Sequence, residues 1–160
     1  GGTGGSSGPE LDRTQKETSP ISIVQSMWNH NPLMHKQIKK MGIKYPTLSG
    51  QELADITVYI RQASNGGSEV RMAPGDPTNG KSVFKNKKCG NCHLVEEKAK
   101  KIAPNLSRID LRKGVTEVAS TMWNHGPAML TQMNKESIEW PRFEKTEMAD
   151  LIAYLYFLGF

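Results

Sequence analysis

The segment that most constrains this chain is Cys89-Gly90-Asn91-Cys92-His93. It holds the only two cysteines of the sequence, with a histidine directly after the second. Two thiols at this spacing can each form a thioether with one vinyl group of a haem, and the histidine can then bind the iron from below. The sequence therefore predicts covalent haem c attached at Cys89 and Cys92, with His93 as the proximal iron ligand.

Two other uses of these cysteines are less favoured. A redox disulfide of the C-x-x-C type expects a thioredoxin-like βαβ setting, and no hydrophobic strand precedes Cys89. A structural zinc site usually needs four cysteine or histidine ligands, whereas His30, His35 and His125 are scattered singly.

An internal repeat runs through the chain at a constant offset of 95 residues. Met27-Trp28-Asn29-His30 recurs without a gap as Met122-Trp123-Asn124-His125. Further pairs at the same offset are Pro32 and Pro127, Met34 and Met129, Pro46 and Pro141, Glu52 and Glu147, Ala54-Asp55 and Ala149-Asp150, and Tyr59 and Tyr154. Because one offset holds over so long a stretch, the sequence indicates a duplicated unit.

The offset places the counterpart of the haem motif just before residue 1. Either a longer polypeptide carries a first C-x-x-C-H motif there, or the first repeat is a haemless remnant. The first account is favoured, because the later parts of the first repeat match the second repeat so closely. We therefore expect a partial domain over 1–64, a linker rich in Ser, Asn, Gly and Pro over 65–79, and a complete domain over 80–160.

The hydrophobic pattern predicts an all-α fold, because apolar residues recur at helical spacing and no segment alternates with period two. Ser49 and Glu52 form a capping box that opens a helix reaching Ala63. The other predicted helices span 22–30, ended by Pro32, then 33–41, 80–88, 116–124, 127–136 and 147–158, with a loop over 94–114.

The second repeat resembles a class I c-type cytochrome domain over about residues 76–160. The motifs that carry the resemblance are Gly80-x-x-x-Phe84 before the haem motif, Pro104-Asn105-Leu106 after it, and Ala149-Asp150-Leu151-Ile152-Ala153-Tyr154-Leu155 near the end. The first repeat resembles the same domain from Pro9-Glu10-Leu11 onward. The resemblance implies two tandem cytochrome c-like domains, of which the first lacks its N-terminal helix and C-x-x-C-H motif in this chain.

The resemblance also assigns roles to single residues. The first and last helices of the domain should cross, with Gly80 and Phe84 against Leu151 and Tyr154. Pro104 should position the proximal histidine. Trp123 is expected in the apolar shell of the haem.

The sixth iron ligand departs from the family pattern. Many members place a methionine just before a Pro-x-Phe turn, but here Trp140 stands at that position. Met129 is the first choice, because Met34 occupies the matching position in the first repeat and would serve a haem there. Met133 is the second choice. His125, which would give bis-histidine ligation, and an open site are the remaining alternatives.

With histidine and methionine both bound, the iron has no free position for a substrate, so the domain can only pass electrons. The expected function is single-electron transfer between redox partners, either alone or within a larger oxidoreductase complex. The alternative is a haem enzyme with an open or weakly ligated iron, of the peroxidase or small-molecule oxidoreductase kind. Haem c further implies a bacterial protein located in the periplasm or otherwise outside the cytoplasm.

The net charge of +5 is unevenly distributed along the chain. Lysines flank the haem motif at positions 81, 85, 87, 88, 98, 100 and 101. Such a basic rim indicates either redox partners with acidic docking surfaces or, about equally, an ordinary solvated helix face. Nucleic acid is not an expected partner, since no aromatic residues interleave with the lysines. No apolar run approaches the length of about 20 residues that a transmembrane helix needs, although membership of a membrane complex stays open.

Overall fold

The computed structural model describes residues 8, 10–11, 19–64, 74–93, 102–108 and 114–158. The α-helices are α1 (Pro20–Lys40), α2 (Gly50–Ala63), α3 (Pro77–Asn86), α4 (Val115–Lys135) and α5 (Glu147–Leu158), with short 3-10 turns at Cys89–Asn91 and Leu106–Arg108. These ranges contain no strand, so the all-α prediction is confirmed for them. Much of the expected linker 65–79 and of the expected loop 94–114 lies outside the described residues.

Side-chain caps mark where α1, α2 and α3 begin. The backbone N–H of Ser49 donates to the Glu52 carboxylate at 2.7 Å, and the Glu52 N–H donates back to the Ser49 hydroxyl at 3.2 Å. These bonds confirm the predicted capping box. The backbone N–H and the hydroxyl of Ser49, which both donate to the Glu52 carboxylate, hold the pKa of Glu52 below its ordinary value. Helix α3 begins before the predicted start at Gly80. The Asp76 side chain accepts hydrogen bonds from the N–H groups of Thr78 and Asn79. Pro77 has no N–H, and it suits the first helical position because an N–H there would have no partner within the helix.

The prediction that Pro32 ends a helix is wrong, and so is the break before Pro127. Helices α1 and α4 each run without interruption through their proline. A proline inside a helix leaves the carbonyl four residues earlier without its donor, which typically costs about 3 kcal/mol. Here that carbonyl belongs to Trp28, and it accepts the indole N–H of Trp140 at 3.0 Å. The indole N–H of Trp140, which is distant in sequence, therefore replaces the backbone N–H that Pro32 lacks.

The two repeats exchange equivalent hydrogen bonds. The indole N–H of Trp28 donates to the Pro141 carbonyl at 2.7 Å, and that of Trp123 donates to the Pro46 carbonyl at 2.7 Å. Both the donors and the acceptors match at the 95-residue offset. Contacts in which each unit offers the same patch to the other are the mark of an approximate two-fold axis. Each repeat thus holds a turn of the other.

Two matched asparagines extend this exchange. Asn29 accepts from the Phe143 N–H and donates to the Phe143 carbonyl, both at 2.8 Å. Asn124 accepts from the Leu48 N–H at 3.0 Å and donates to the Leu48 carbonyl at 2.8 Å. The Trp-Asn pair of the repeated motif is therefore an element of the interface between the repeats.

Helix α3 packs against α5, whereas α4 packs mainly against α1 and α2. A Cβ atom on Gly80 would overlap the Asp150 carbonyl and the Tyr154 side chain, so only glycine permits this close approach. The rings of Phe84 and Tyr154 lie 5.8 Å apart in a tilted arrangement. The predicted crossing of Gly80 and Phe84 with Tyr154 is confirmed.

Candidate haem attachment site

The C-x-x-C-H segment forms one tight turn directly after α3. Lys88 enters the turn in the left-handed region with φ of 61°. The backbone N–H groups of Cys92 and His93 then both donate to the Cys89 carbonyl, at 3.2 and 3.0 Å. Local hydrogen bonding therefore brings both cysteines and the histidine into a single turn.

The imidazole of His93 is oriented by a carbonyl from a distant loop. Its Nδ1 lies 3.0 Å from the Pro104 oxygen. A carbonyl only accepts, so Nδ1 carries the proton and Nε2 keeps its lone pair for a metal. Pro104 is the proline to which the family resemblance assigns the positioning of the proximal histidine.

The Cys89 thiol lies against the buried core. Burial raises its pKa to about 11, so the thiol stays protonated at neutral pH. Neither Cys89 nor Cys92 is in a disulfide. Two thiols at the attachment spacing, followed by an imidazole whose Nε2 can bind a metal, are the donor set that haem c requires.

The candidate distal methionines lie in different surroundings. Met129 is half-buried on α4 and packs against the core. Met133 is also half-buried, further along the same helix. Met34, the counterpart of Met129, is 37% exposed. The ligand roles of all three are predictions.

The histidines of the repeated motif lie on the surface. His125 is exposed on α4, and His30 is exposed on α1 with its Nδ1 2.8 Å from the Ser26 carbonyl. Met122, beside the motif tryptophan, packs against the core.

Trp123 and Trp140 of the second repeat both contact the first repeat. Trp123, predicted to line the haem, is buried with its indole bonded to Pro46 and its ring 4.8 Å from that of Tyr45. Trp140, at the position where many family members carry the methionine ligand, stacks on Trp28 at 4.5 Å. The contacts of Trp28 and Asn29 were not predicted from the sequence, although the repetition of the Trp-Asn pair was the available signal.

Among the described residues of the basic rim, Lys87 is anchored by contacts with the second repeat. Lys87 forms an ion pair with Glu147 at 2.9 Å and donates to the Arg142 carbonyl at 2.7 Å. Partial burial raises the pKa of Glu147, but the bonds from Lys87 and the Glu144 backbone, with the lysine charge, bring it below its ordinary value. The exposed members of the rim are Lys81, Lys85 and Lys88, and the outer members Lys98, Lys100 and Lys101 lie outside the described residues.

Comparison with known proteins gives one family match. The model of the cytochrome c family matches residues 77–158, which is just over half of the chain and includes the C-x-x-C-H turn. No match was found to a curated protein or to a solved structure. Within the described ranges, no helix has the length and apolarity that crossing a bilayer demands.

Proposed function

The chain belongs to the cytochrome c family, and from this premise we propose that it passes single electrons between two redox partners through haem c bound at Cys89 and Cys92. Proteins of this family bind haem c covalently and carry electrons, and c-type cytochromes typically reside outside the cytoplasm. The more specific parts of the proposal are the iron ligands, the partners, the periplasm of a bacterium as the location, and the number of haems.

The observation that carries the proposal is the hydrogen bond between His93 and Pro104. It fixes the imidazole with Nε2 available, beside the two cysteines that would hold the haem. When bound, haem c supplies an iron that alternates between the ferric and ferrous states. The chain itself supplies the attachment at Cys89 and Cys92, the proximal ligand and its orientation, and the apolar surroundings formed by the core.

We assign the distal position to Met129. Its side chain is half-buried and packs against the same core as Cys89, whereas His125 is exposed. Ligation by both His93 and Met129 would leave the iron no position for a substrate, which favours electron transfer over catalysis.

The ligand assignment is tested with the far-red absorption band that sulfur ligation gives to ferric haem. Met129→Ala should abolish the band, and Met133→Ala, one turn along on the same helix, should retain it. The opposite result would move the assignment to Met133. A five-coordinate, high-spin spectrum of the wild-type chain would instead support the haem enzyme.

The proposed partners are redox proteins with acidic docking surfaces. The exposed Lys81, Lys85 and Lys88 lie on and directly after α3, next to the haem motif. Attraction between such a surface and an acidic partner raises the association rate and weakens with salt, because the Debye length shortens from about 10 Å at 0.1 M to about 3 Å at 1 M. Electron-transfer rates to an acidic acceptor should therefore fall as ionic strength rises.

The proposal extends to the first repeat and to the domain division. On this account residues 1–64 belong to a second cytochrome domain and 80–160 to the complete domain, with a linker over 65–79 whose last three residues already belong to α3. A second haem, with Met34 as its distal ligand, is proposed for the first repeat.

Intact mass, read with haem absorbance per chain, tests both parts of the proposal on natively purified protein. Two haems with additional N-terminal mass would support a dihaem carrier. One haem at the mass of this sequence would make the first repeat a scaffold. Absence of haem would overturn the proposed function.

A further inference from the structure

We propose that Trp28 and Asn29 of the first repeat are positioning residues for the distal side of the haem held by the second repeat. The inference rests on the proposed function, since it requires a haem at the C-x-x-C-H turn. It assigns to the first repeat a part in the redox site that does not depend on whether that repeat binds a haem of its own.

The first step concerns the backbone of the turn 140–143, which precedes α5. Trp28 donates to the Pro141 carbonyl at 2.7 Å, and Asn29 pairs with both backbone groups of Phe143 at 2.8 Å. Lys87 of the second repeat holds the carbonyl between them. The backbone of this turn is thus fixed on one side by α1 and on the other by the end of α3.

The second step concerns the side chains of the same turn. The Trp140 ring stacks on Trp28 with centroids 4.5 Å apart, and its N–H donates to the Trp28 carbonyl at 3.0 Å. Phe143, which is 2% exposed, lies with its ring centroid 5.7 Å from that of Trp28. Trp140 stands where the family resemblance sets the distal ligand, so the residue at that position is oriented by the first repeat.

The third step concerns α4, which carries the proposed ligand Met129. This helix packs mainly against α1 and α2, that is, against the first repeat. It is anchored there by the bonds of Trp123 to Pro46 and of Asn124 to Leu48. The helix that carries Met129 and the turn before α5 are therefore both held by contacts with the first repeat.

The repeat supplies a matched control for the experiment. Asn29 and Asn124 each make two hydrogen bonds to one backbone residue of the opposite repeat, and only those of Asn29 reach the turn 140–143. Asn29→Ala and Asn124→Ala therefore remove the same chemistry at two different turns. Trp28→Phe is a second variant, because it loses the bond to Pro141 and retains an aromatic ring.

The experiment uses the haem-loaded full chain and two readouts. The first is hydrogen exchange of the Phe143 and Leu48 amides, which does not depend on haem activity. In Asn29→Ala, exchange at Phe143 should speed up by about tenfold or more, because a buried amide loses its acceptor. The second readout is the reduction potential together with the far-red sulfur band. Both should change in Asn29→Ala and in Trp28→Phe.

Because Asn124 helps to anchor α4, the helix that carries Met129, the Asn124→Ala control is read by amide exchange alone, and it shows whether loss of the Asn29 bonds loosens the turn 140–143 specifically. Asn124→Ala should speed exchange at Leu48 and leave Phe143 protected. Faster Phe143 exchange in Asn29→Ala with an unchanged potential and spectrum would overturn the positioning role and leave the proposed function intact. If Asn29→Ala does not fold, an unchanged potential and spectrum in Trp28→Phe would overturn it equally. A wild-type chain without haem would overturn both proposals.

Discussion

The close crossing of α3 and α5 at Gly80 gives a substitution whose sign can be worked out. Replacing a helical glycine by alanine normally stabilises by about 1 kcal/mol, because the backbone loses less freedom on folding. At Gly80 the new methyl would overlap the Asp150 carbonyl and the Tyr154 Cβ atom, which belong to or adjoin the backbone of α5. Backbone cannot rotate aside as a side chain can, so the two helices would have to separate.

The strain should outweigh the helix propensity. Overpacking a well-filled contact costs typically 1–3 kcal/mol and occasionally more, and a backbone clash belongs at the upper end of about 3 kcal/mol. Subtracting the propensity gain of about 1 kcal/mol leaves Gly80→Ala less stable by about 2 kcal/mol. For a chain of this length that corresponds to a melting temperature lower by about 4–8 °C.

Gly50, the first residue of α2, provides the control. The three atoms that a Cβ atom there would approach most closely all belong to the side chain of Glu117, whose carboxylate end can move at little cost. Gly50→Ala should therefore lie within about 0.5 kcal/mol of the wild type. Guanidinium unfolding of the haem-loaded chain measures both variants, with unchanged m values confirming that only stability has shifted. A Gly80→Ala variant as stable as the wild type, or a Gly50→Ala variant equally destabilised, would refute the argument.

Three further predictions concern stability. Burial raises the pKa of Tyr45 to about 12, so its neutral form stabilises the fold fully below about pH 10 and this contribution is lost as the pH rises towards 12. The unfolding free energies of wild type and Tyr45→Phe should accordingly converge across that window in urea titrations. Trp140→Phe should lower the free energy of unfolding by about 1–3 kcal/mol, because the Trp28 carbonyl loses its donor. In a Pro32→Ala background the loss should be about 1 kcal/mol smaller, since the new backbone N–H of residue 32 can donate to that carbonyl. An additive double-mutant cycle would contradict this. Asp150→Ala should cost about 3 kcal/mol, because a buried carboxylate accepts two hydrogen bonds there, whereas the matched and exposed Asp55→Ala should change denaturant midpoints little.

The fold could be predicted from sequence where local chemistry decides it. The capping box of α2 was predictable because Ser49 and Glu52 bond to each other's backbone within one turn. The start of α3 was missed although Asp76 and Pro77 are an ordinary start signal. The continuation of α1 through Pro32 was not predictable in this way, because the donor that compensates for the proline comes from Trp140, far along the chain.

The same distinction holds for the candidate site. The haem motif was predicted from sequence spacing and the role of Pro104 from the family resemblance, and in the structure the Pro104 carbonyl lies at hydrogen-bonding distance from His93. The repetition of Trp-Asn was visible in the sequence, but its meaning was not. Trp123 was expected beside the haem, and the structure places its indole N–H on Pro46 of the first repeat. Which elements pack together depends on the whole chain, so a local pattern could not reveal it.

The sequence by itself determined the all-α class, the attachment motif with its histidine and the existence of the repeat, since each follows from residue types at fixed spacing. Only the tertiary structure decided what equivalent residues do. Tyr154 is 7% exposed because α3 covers it, whereas its counterpart Tyr59 is 71% exposed. Met129 packs against the core, while the matching Met34 is 37% exposed. Burial is a property of the neighbours that the fold supplies, and two identical residues acquire different roles when those neighbours differ.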